Sequence, residues 1–341
     1  MPHRRAPLIS PAPTRRDIVR SAGLATLAAL SPLGAGRALA ADPAYPTRPV
    51  KLVVPFPPGG SADVLGRVLS NALSQQLGQS FVVDNRAGGG GALGLNIVTK
   101  SEADGYTLGM TSLGPQTLLP ALGRKLPYDA RKDLSHIAFM GGMPLVIVGN
   151  NKVGANTLAE LVALAKSRPG TLSIGSSGVP GQVAIEQFKR VAGIDLLHVP
   201  YKGDSPMAAD LLGGQVDLAM LTVTAAVPHV AAKSFKMFAS TGAKASPQLG
   251  GVRTIADLGY PGFEAELWYV LTAPAGTPEA IVQKLSDAVQ TALKDAEVQR
   301  QFDQQALSPR VMDAPTVRRF IEAERVKWEE TIKTANIRLD S

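Results

Sequence analysis

Apolar runs and helical stripes alternate along this chain from residue 50 onward. The run "VKLVVPF" at 50–56 reads as a strand. The stretch 61–77 follows, with Val64, Leu65, Val68, Leu69, Ala72 and Leu73 on one helical face. "SFVVDN" and "GYTLGMTS" predict two more strands, with a glycine-rich turn and a helix between them. "PLVIVGN" at 144–150 has the pattern of a buried strand. Behind it, "TLAELVALAKSRPG" predicts a helix opened by a capping box from Thr157 to Glu160 and stopped by Pro169-Gly170. The series continues through "LSIGSS", a helix over "QVAIEQFKRVAG", "DLLHVPY", a helix over "SPMAADLLGG", and the runs "VDLAML" and "FKMFAS". A long strand, "FEAELWYVLTAP" at 263–274, precedes a helix in "TPEAIVQKLSDAVQTALKD", with Thr277 as its cap and Pro278 at its first position. A last helix spans roughly 315–334.

Such alternation predicts an α/β fold with a parallel-rich sheet and helices on both of its faces. A chain of 341 residues exceeds one ordinary core, so the reading is two α/β lobes joined by extended crossings near 144–148 and 266–271. Internal sequence repeats are not evident.

Charge changes the picture only at the N-terminus. Residues 1–40 hold six arginines, Arg4, Arg5, Arg15, Arg16, Arg20 and Arg37, against Asp17, which is +5 of the formal +7. The remainder has 29 basic against 27 acidic residues, which argues against a nucleic-acid footprint. "TRRDIVR" at 14–20 followed by the weakly apolar "SAGLATLAALSPLGAG" and by "ALA" at 38–40 matches a twin-arginine export signal cleaved near Ala40. The competing reading, a membrane anchor, is disfavoured because the run is shorter than the roughly 20 residues that span a bilayer and Pro32 interrupts it. The expectation is a periplasmic mature protein. With no cysteine in the chain, disulfides, thiolate metal sites, a cysteine nucleophile and a lipid-anchored cysteine are all excluded.

The stretch "PFPPGGSADVLGR" at 55–67 joins a strand to a helix through Gly59-Gly60. It reads either as a plain capped turn or as an anion cradle, in which the first backbone N–H groups of the helix lack partners and carry the positive end of its dipole. Ser61 is the expected cap, and Asp63 falls in the first turn. The spacing GxxxxGK[ST] of a nucleotide phosphate loop is absent. Gly89, Gly91 and Gly94 satisfy GxGxxG, but the following strand ends in Thr111 and Ser112 with no carboxylate. A dinucleotide site is therefore rejected, and the glycines read as close helix-to-strand packing. "GSSG" at 175–178 fails the nucleophile-elbow pattern at Val179. His136, His198 and His229 are isolated, and no carboxylate cluster or HExxH offers a metal site, so neither cofactor nor metal is expected.

What the strand ends share is small and polar: Ser61, Thr111-Ser112, Ser176-Ser177-Gly178 and Thr222. Open α/β sheets bind ligands on that side. Lys202 is the only base in those loops, so an anion there would be held by helix N-termini and ordered water.

The blocks "YPTRPVKLVVPFPPGGSADVLGR", "VVDNRAGGGGALG", "ADGYTLG", "LPYDARKDL", "HVPYKG", "DLLGGQVDL" and "WYVLTAPAGTPEAIVQKL", in one order from about Tyr45 to the C-terminus, closely resemble the Bug (TctC-like) family. These are extracytoplasmic solute receptors of tripartite tricarboxylate transporters. The resemblance implies a two-lobed periplasmic-binding-protein fold, type II-like, closing as a Venus flytrap about two hinge crossings. Lobe 1 would be 45–145 with 268–341, and lobe 2 would be 146–267. It implies no catalysis, a monomer, a small organic acid or amino-acid ligand, and integral-membrane transporter subunits as partners. The family's carboxylate loop maps onto Phe56, Gly59, Gly60, Ser61 and Asp63, with Thr111 and Ser112 on the same lobe. The opposite lobe contributes Ser176, Ser177, Gly178, Gly181 and Gln182, and, after "YKG", Asp204 and Ser205. Gln182 stands where the family commonly has His, and Asp204 where it has a small apolar residue. Both departures leave room for a ligand with a cationic group. A sensor-kinase receptor and a hydrolase acting through Ser176 are the alternative expectations.

Overall fold

The structure, a computed structural model, describes residues 45–245, 249–304, 306–334 and 336–338. The expected export signal at 1–40 lies outside the described residues. From Pro46 onward the chain packs as one unit.

Nine strands among the described residues form one continuous sheet: β1 (Val50–Val54), β2 (Phe81–Asn85), β3 (Thr107–Ser112), β4 (Leu134–Asn150), β5 (Ser173–Ser177), β6 (Leu197–Tyr201), β7 (Leu218–Thr222), β8 (Phe235–Ser240) and β9 (Glu266–Pro274). Their order is β2-β1-β3-β9-β4-β7-β5-β6, with β8 also paired to β4. β1 lies parallel to both β2 and β3, β5 lies parallel to both β6 and β7, and the joints through β9 and β4 are antiparallel. The two ends of the sheet thus repeat one arrangement, β2-β1-β3-β9 and β6-β5-β7-β4. In each, chain order reverses at the central strand, where ligands of open α/β sheets sit.

β4 belongs to both ends. It pairs with β9 from Leu134 to Pro144 and with β7 and β8 from Leu145 onward. The sequence pattern caught only its last seven residues. The earlier part is buried on both faces, so it shows no alternation, and it carries Gly141-Gly142 and two register shifts against β9. β9 pairs only with β3 and β4, beginning at Glu266 opposite Pro144.

Among the described residues, nine helices of eight residues or more cover the sheet: α1 (Ser61–Leu77), α2 (Ala92–Thr99), α3 (Leu158–Ser167), α4 (Gly178–Ala192), α5 (Asp204–Gly213), α6 (Val223–Ala231), α7 (Glu279–Ala292), α8 (Ala296–Gln304) and α9 (Ala314–Thr334). The α1 stripe buries Leu65, Val68, Leu69 and Leu73. Of the glycines read as close packing, Gly94 would put a Cβ 2.7 Å from Pro55 Cβ and 2.9 Å from the Arg86 carbonyl, and Gly91 one 3.0 Å from Pro115, whereas Gly89 meets only an ordinary contact at 3.6 Å and has φ of +57°. The α9 helix buries Val317, Ile321, Trp328 and Ile332. The indole N–H groups of Trp268 and Trp328 both donate to Glu324 Oε2, at 3.0 and 3.1 Å, so these large side chains bury their rings without orphaning a donor.

Several helix starts differ from their sequence reading. Thr157 caps α3 as expected, accepting from Glu160 N at 3.2 Å, while the Glu160 carboxylate reaches back to Asn156 N at 2.8 Å. Gly60, and not Ser61, is the N-cap of α1. Pro278, and not Thr277, is the N-cap of α7, because its ψ of 134° is extended; the Thr277 hydroxyl instead donates to the Pro274 carbonyl at 2.8 Å. α4 starts at Gly178, four residues before the predicted Gln182. Pro180 is tolerated because first-turn N–H groups have no intrahelical partner in any case.

Candidate functional site

The ends of β1, β3, β5 and β7 each feed a loop or a helix start, and the side chains there divide into supports and exposed surfaces. At β1, Gly59 has φ of +82°, which glycine adopts without cost, and its N–H donates to Asp63 Oδ2 at 2.9 Å. Asp63 is 4% exposed and also accepts from Arg67 Nε at 3.0 Å and, through Oδ1, from Asn85 Nδ2 at 3.0 Å. Burial alone would raise its pKa, but the hydrogen bonds from Arg67, the Gly59 N–H and Asn85 outweigh it and hold the carboxyl below its ordinary value. Asn85 Nδ2 also donates to the Phe56 carbonyl at 3.1 Å. Asp63 therefore braces the loop from behind. Gly60 is open, with no protein atom nearer to a Cβ there than the Pro57 carbonyl at 3.8 Å.

At β3, the buried Thr111 donates its hydroxyl to Gln116 Oε1 at 3.1 Å, and Gln116 Nε2 donates to the Ala130 carbonyl at 2.6 Å. Thr111 supports the turn after the strand from behind it. Ser112, also buried, pairs with Tyr269 of β9.

At β5, Ser176 is 1% exposed. Its Oγ lies 2.8 Å from His198 Nε2, and a Cβ on Gly181 would lie 2.9 Å from Ser176 Cβ. The pair is a strut between β5 and β6. Ser177 is the N-cap residue of α4, yet its hydroxyl leaves the helix uncapped and donates to Asp204 Oδ1 at 2.5 Å. Asp204 is the first residue of α5, and its Oδ2 accepts from Thr222 Oγ1 at 2.6 Å and from Thr222 N at 3.3 Å. Gln182 is half-buried in the first turns of α4, and Ser205 is exposed on α5.

These two sets of strand ends meet. Within the first set, the Phe56 ring packs edge-on against Tyr269, with centroids 6.4 Å apart. Burial, and after it the negative charge of Asp204, raises the pKa of the Tyr269 phenol, so Asp204 on the second set is felt by Tyr269 on the first. Gly114, just past β3, has its Cβ position 3.9 Å from Pro180 Cγ in α4 and 3.8 Å from the Gly90 carbonyl. The helices α1, α4, α5 and α6 all begin on this side without a side-chain cap bond, under Gly60, Ser177, Gly203 and Thr222. Their first N–H groups and dipoles form an anion-attracting surface without an arginine or lysine fork.

Of the expected site residues, Phe56, Gly60 and Ser61 lie at the β1–α1 turn, Ser177, Gly178 and Gln182 at the start of α4, and Asp204 at the start of α5. The structure places Asp63, Thr111, Ser176 and Gly181 behind them as supports. Sequence reasoning missed Tyr269, which sits in an apolar strand pattern and looks like core, and it left Thr222 outside the ligand set. Among the described residues, no group of three His, Asp or Glu side chains is placed to hold a metal ion. Two surface cavities, of about 410 and 390 Å³, are lined by other residues than Phe56, Gly60, Ser177 and Asp204. One is lined by residues such as Gln116, Arg131 and Arg325, the other by residues such as Pro144, Glu266 and Arg310.

Comparison with known proteins gives one consistent result. Residues 65–337 match the family described as Tripartite tricarboxylate transporter family receptor. Protein BugT of Bordetella pertussis is 36% identical over 298 residues, covering 86% of this chain and 91% of BugT. Among solved structures, Rpa4515 of R. palustris with adipate superposes with a TM-score of 0.80 at 35% identity, covering 86% of this chain and 99% of that one. MatC (Rpa3494) from Rhodopseudomonas palustris with bound malate gives 0.75 at 29% identity, covering 84% and 100%.

Proposed function

Because the chain belongs to the tripartite tricarboxylate transporter receptor family, whose members are periplasmic solute-binding receptors and not enzymes, we propose that it captures a small carboxylate-bearing solute and delivers it to integral-membrane transporter subunits. The observation that carries this reading is the pair of helix N-termini without side-chain caps, α1 under Gly60 and α4 under Ser177, at the ends of β1 and β5, with Gly114 just past β3 approaching Pro180 in α4. The adipate and malate held by the two similar structures are of the chemical class such a surface attracts.

In this reading the protein works in the periplasm as a monomer, its export signal removed near Ala40, and no helix among the described residues is long and apolar enough to cross a membrane. One lobe comprises 45–145 with 268–341, the other 146–267. They close by rigid rotation where β4 exchanges β9 for β7 and β8 at Pro144–Leu145. A ligand carboxylate is held by the N–H groups at Gly60 and Ser61, with bridging water completing its shell, while the start of α4 closes over the other end of the solute.

The test is Gly60→Val. The site is open to protein atoms and its φ of −82° suits any residue, so the variant should fold with a Tm close to that of the parent. Calorimetric titration with a panel of organic acids should show the parent binding at least one carboxylate and the variant losing that affinity by roughly tenfold or more, because the added side chain fills the carboxylate's place. Equal affinity in parent and variant would reduce the loop to a capped turn.

A further inference from the structure

The side chain of Asp204 ties together the starts of α4, α5 and α6. Its carboxylate takes three donors at the junction, Ser177 Oγ at 2.5 Å, Thr222 Oγ1 at 2.6 Å and Thr222 N at 3.3 Å, and among the described residues no lysine or arginine pairs with it. Ser177 is the N-cap of α4 and Thr222 the N-cap of α6, so the hydroxyls that top two helix N-termini are both turned toward this one internal anion. Asp204 itself opens α5 and places its charge against that helix dipole as well. Its charge also reaches Tyr269, on the side of the junction where Phe56 packs.

A second carboxylate arriving at Ser177 and Thr222 would find both hydroxyls donated away and a like charge in place. Like-charge juxtaposition in a partly desolvated contact is strongly unfavourable. The opposite end of the junction is different: the α1 start at Gly60 and Ser61 has no side-chain cap, and the acid in its first turn, Asp63, is paired with Arg67 and bonded to Gly59 N and Asn85.

We propose that Asp204 acts as a built-in second carboxylate, so that this receptor takes a monocarboxylate whose far end bears hydrogen-bond donors, an ammonium above all, and rejects dicarboxylates such as adipate and malate. The inference rests on the carboxylate-receptor reading above and deepens it. The carboxylate of the solute sits at the α1 start. Its donor-bearing end faces the remaining lone pairs of Asp204, with which no lysine or arginine among the described residues pairs.

Calorimetric titration of the full-length protein with three matched series tests it: succinate, glutarate and adipate; butyrate, pentanoate and hexanoate; and 4-aminobutyrate, 5-aminopentanoate and 6-aminohexanoate. The expected result is that the best-binding monocarboxylate or amino acid exceeds its dicarboxylate counterpart by roughly tenfold or more. Asp204→Asn, which keeps the shape and loses the charge, should shrink or reverse that preference while retaining monocarboxylate binding. A parent protein that binds a dicarboxylate as tightly as its matched partners, or an Asp204→Asn variant with the parent's preference, overturns the proposal and leaves the carboxylate-receptor reading intact. Absence of binding to all nine probes and to malate and citrate would remove that reading, and this inference with it. Preference of the parent for one charge class is read without any variant, so an unstable Asp204→Asn protein does not block the test.

Discussion

His136 should make this protein acid-sensitive in a defined window. It sits on β4, 7% exposed, with its Nε2 3.4 Å from Gln116 Nε2. The orientation of the Gln116 amide is set on both sides: its oxygen accepts from Thr111 and its nitrogen donates to the Ala130 carbonyl at 2.6 Å. The amide nitrogen therefore presents a hydrogen to the ring, and Nε2 must be the acceptor, leaving the proton on Nδ1, which has no partner. Adding a second proton sets donor against donor in a dry site, with Arg318 adding a like charge. Burial first, and Arg318 second, push the pKa down to about 4 from an ordinary 6.5.

The sign follows from linkage. As pH falls through 6.5 the unfolded chain takes up the proton while the native ring stays neutral, so stability declines until pH reaches about 4 and is level below it. The full loss is about 3 kcal/mol, and the part realised between pH 7 and pH 5 is about 2 kcal/mol. The assay is urea unfolding of the parent and of His136→Gln, which keeps an acceptor for Gln116 and cannot titrate. Carboxylate contributions are common to both proteins and cancel in the difference. The parent should lose about 2 kcal/mol more than the variant between the two pH values. Equal losses would refute the buried, neutral histidine.

Three further outcomes follow from the supports around the junction. Gly94→Val should lower the Tm by several degrees and weaken carboxylate binding together, since its Cβ would lie within 2.9 Å of Pro55 and the Arg86 carbonyl and would shift the loop that carries Gly60; a normal Tm would show that α2 can move away. Asp63→Asn should cost about 2 kcal/mol at pH 7 in the same urea assay. Because its native pKa is lowered, that difference is present above the unfolded value and fades as pH falls through the native one, so a cost that persists in acid would count against the ionic brace. Glu324→Ala should destabilise by about 2 kcal/mol by stranding the indole N–H groups of Trp268 and Trp328, and near-UV circular dichroism of the tryptophans should change with it; an unaltered spectrum would contradict the shared acceptor.

Much of this architecture was legible because its elements announce themselves by period. α1 was read with its bounds intact, since a six-residue apolar stripe and a terminal Gly78 leave little choice. The first ten residues of β4 were illegible for a physical reason: a strand buried on both faces loses alternation, and bulges near Ala138 and Phe139 break its register. At the site, the sequence indicated which strand ends carry hydroxyls but not where each hydroxyl points. Thr111 and Ser177 look alike as strand-end residues. One turns inward to Gln116, the other across to Asp204, and only the tertiary arrangement distinguishes them.

The repeat of strand order explains why the junction has two ends at all. β2-β1-β3-β9 and β6-β5-β7-β4 share no obvious sequence pattern, yet each puts a parallel strand between its two successors and so turns one helix start, α1 or α4, to the same side. Two such starts facing each other suit a solute with an anion at each end, as in adipate or malate. On the proposal above, Asp204 breaks that symmetry. With Asp204 holding Ser177 and Thr222, one half of a symmetric anion site becomes an anion itself, while the other keeps Gly60 open. On that proposal, one side chain at the start of α5 polarises the site from a positive helix end to a negative carboxylate. That polarity is the property by which such a receptor would tell an amino acid from a diacid of the same length.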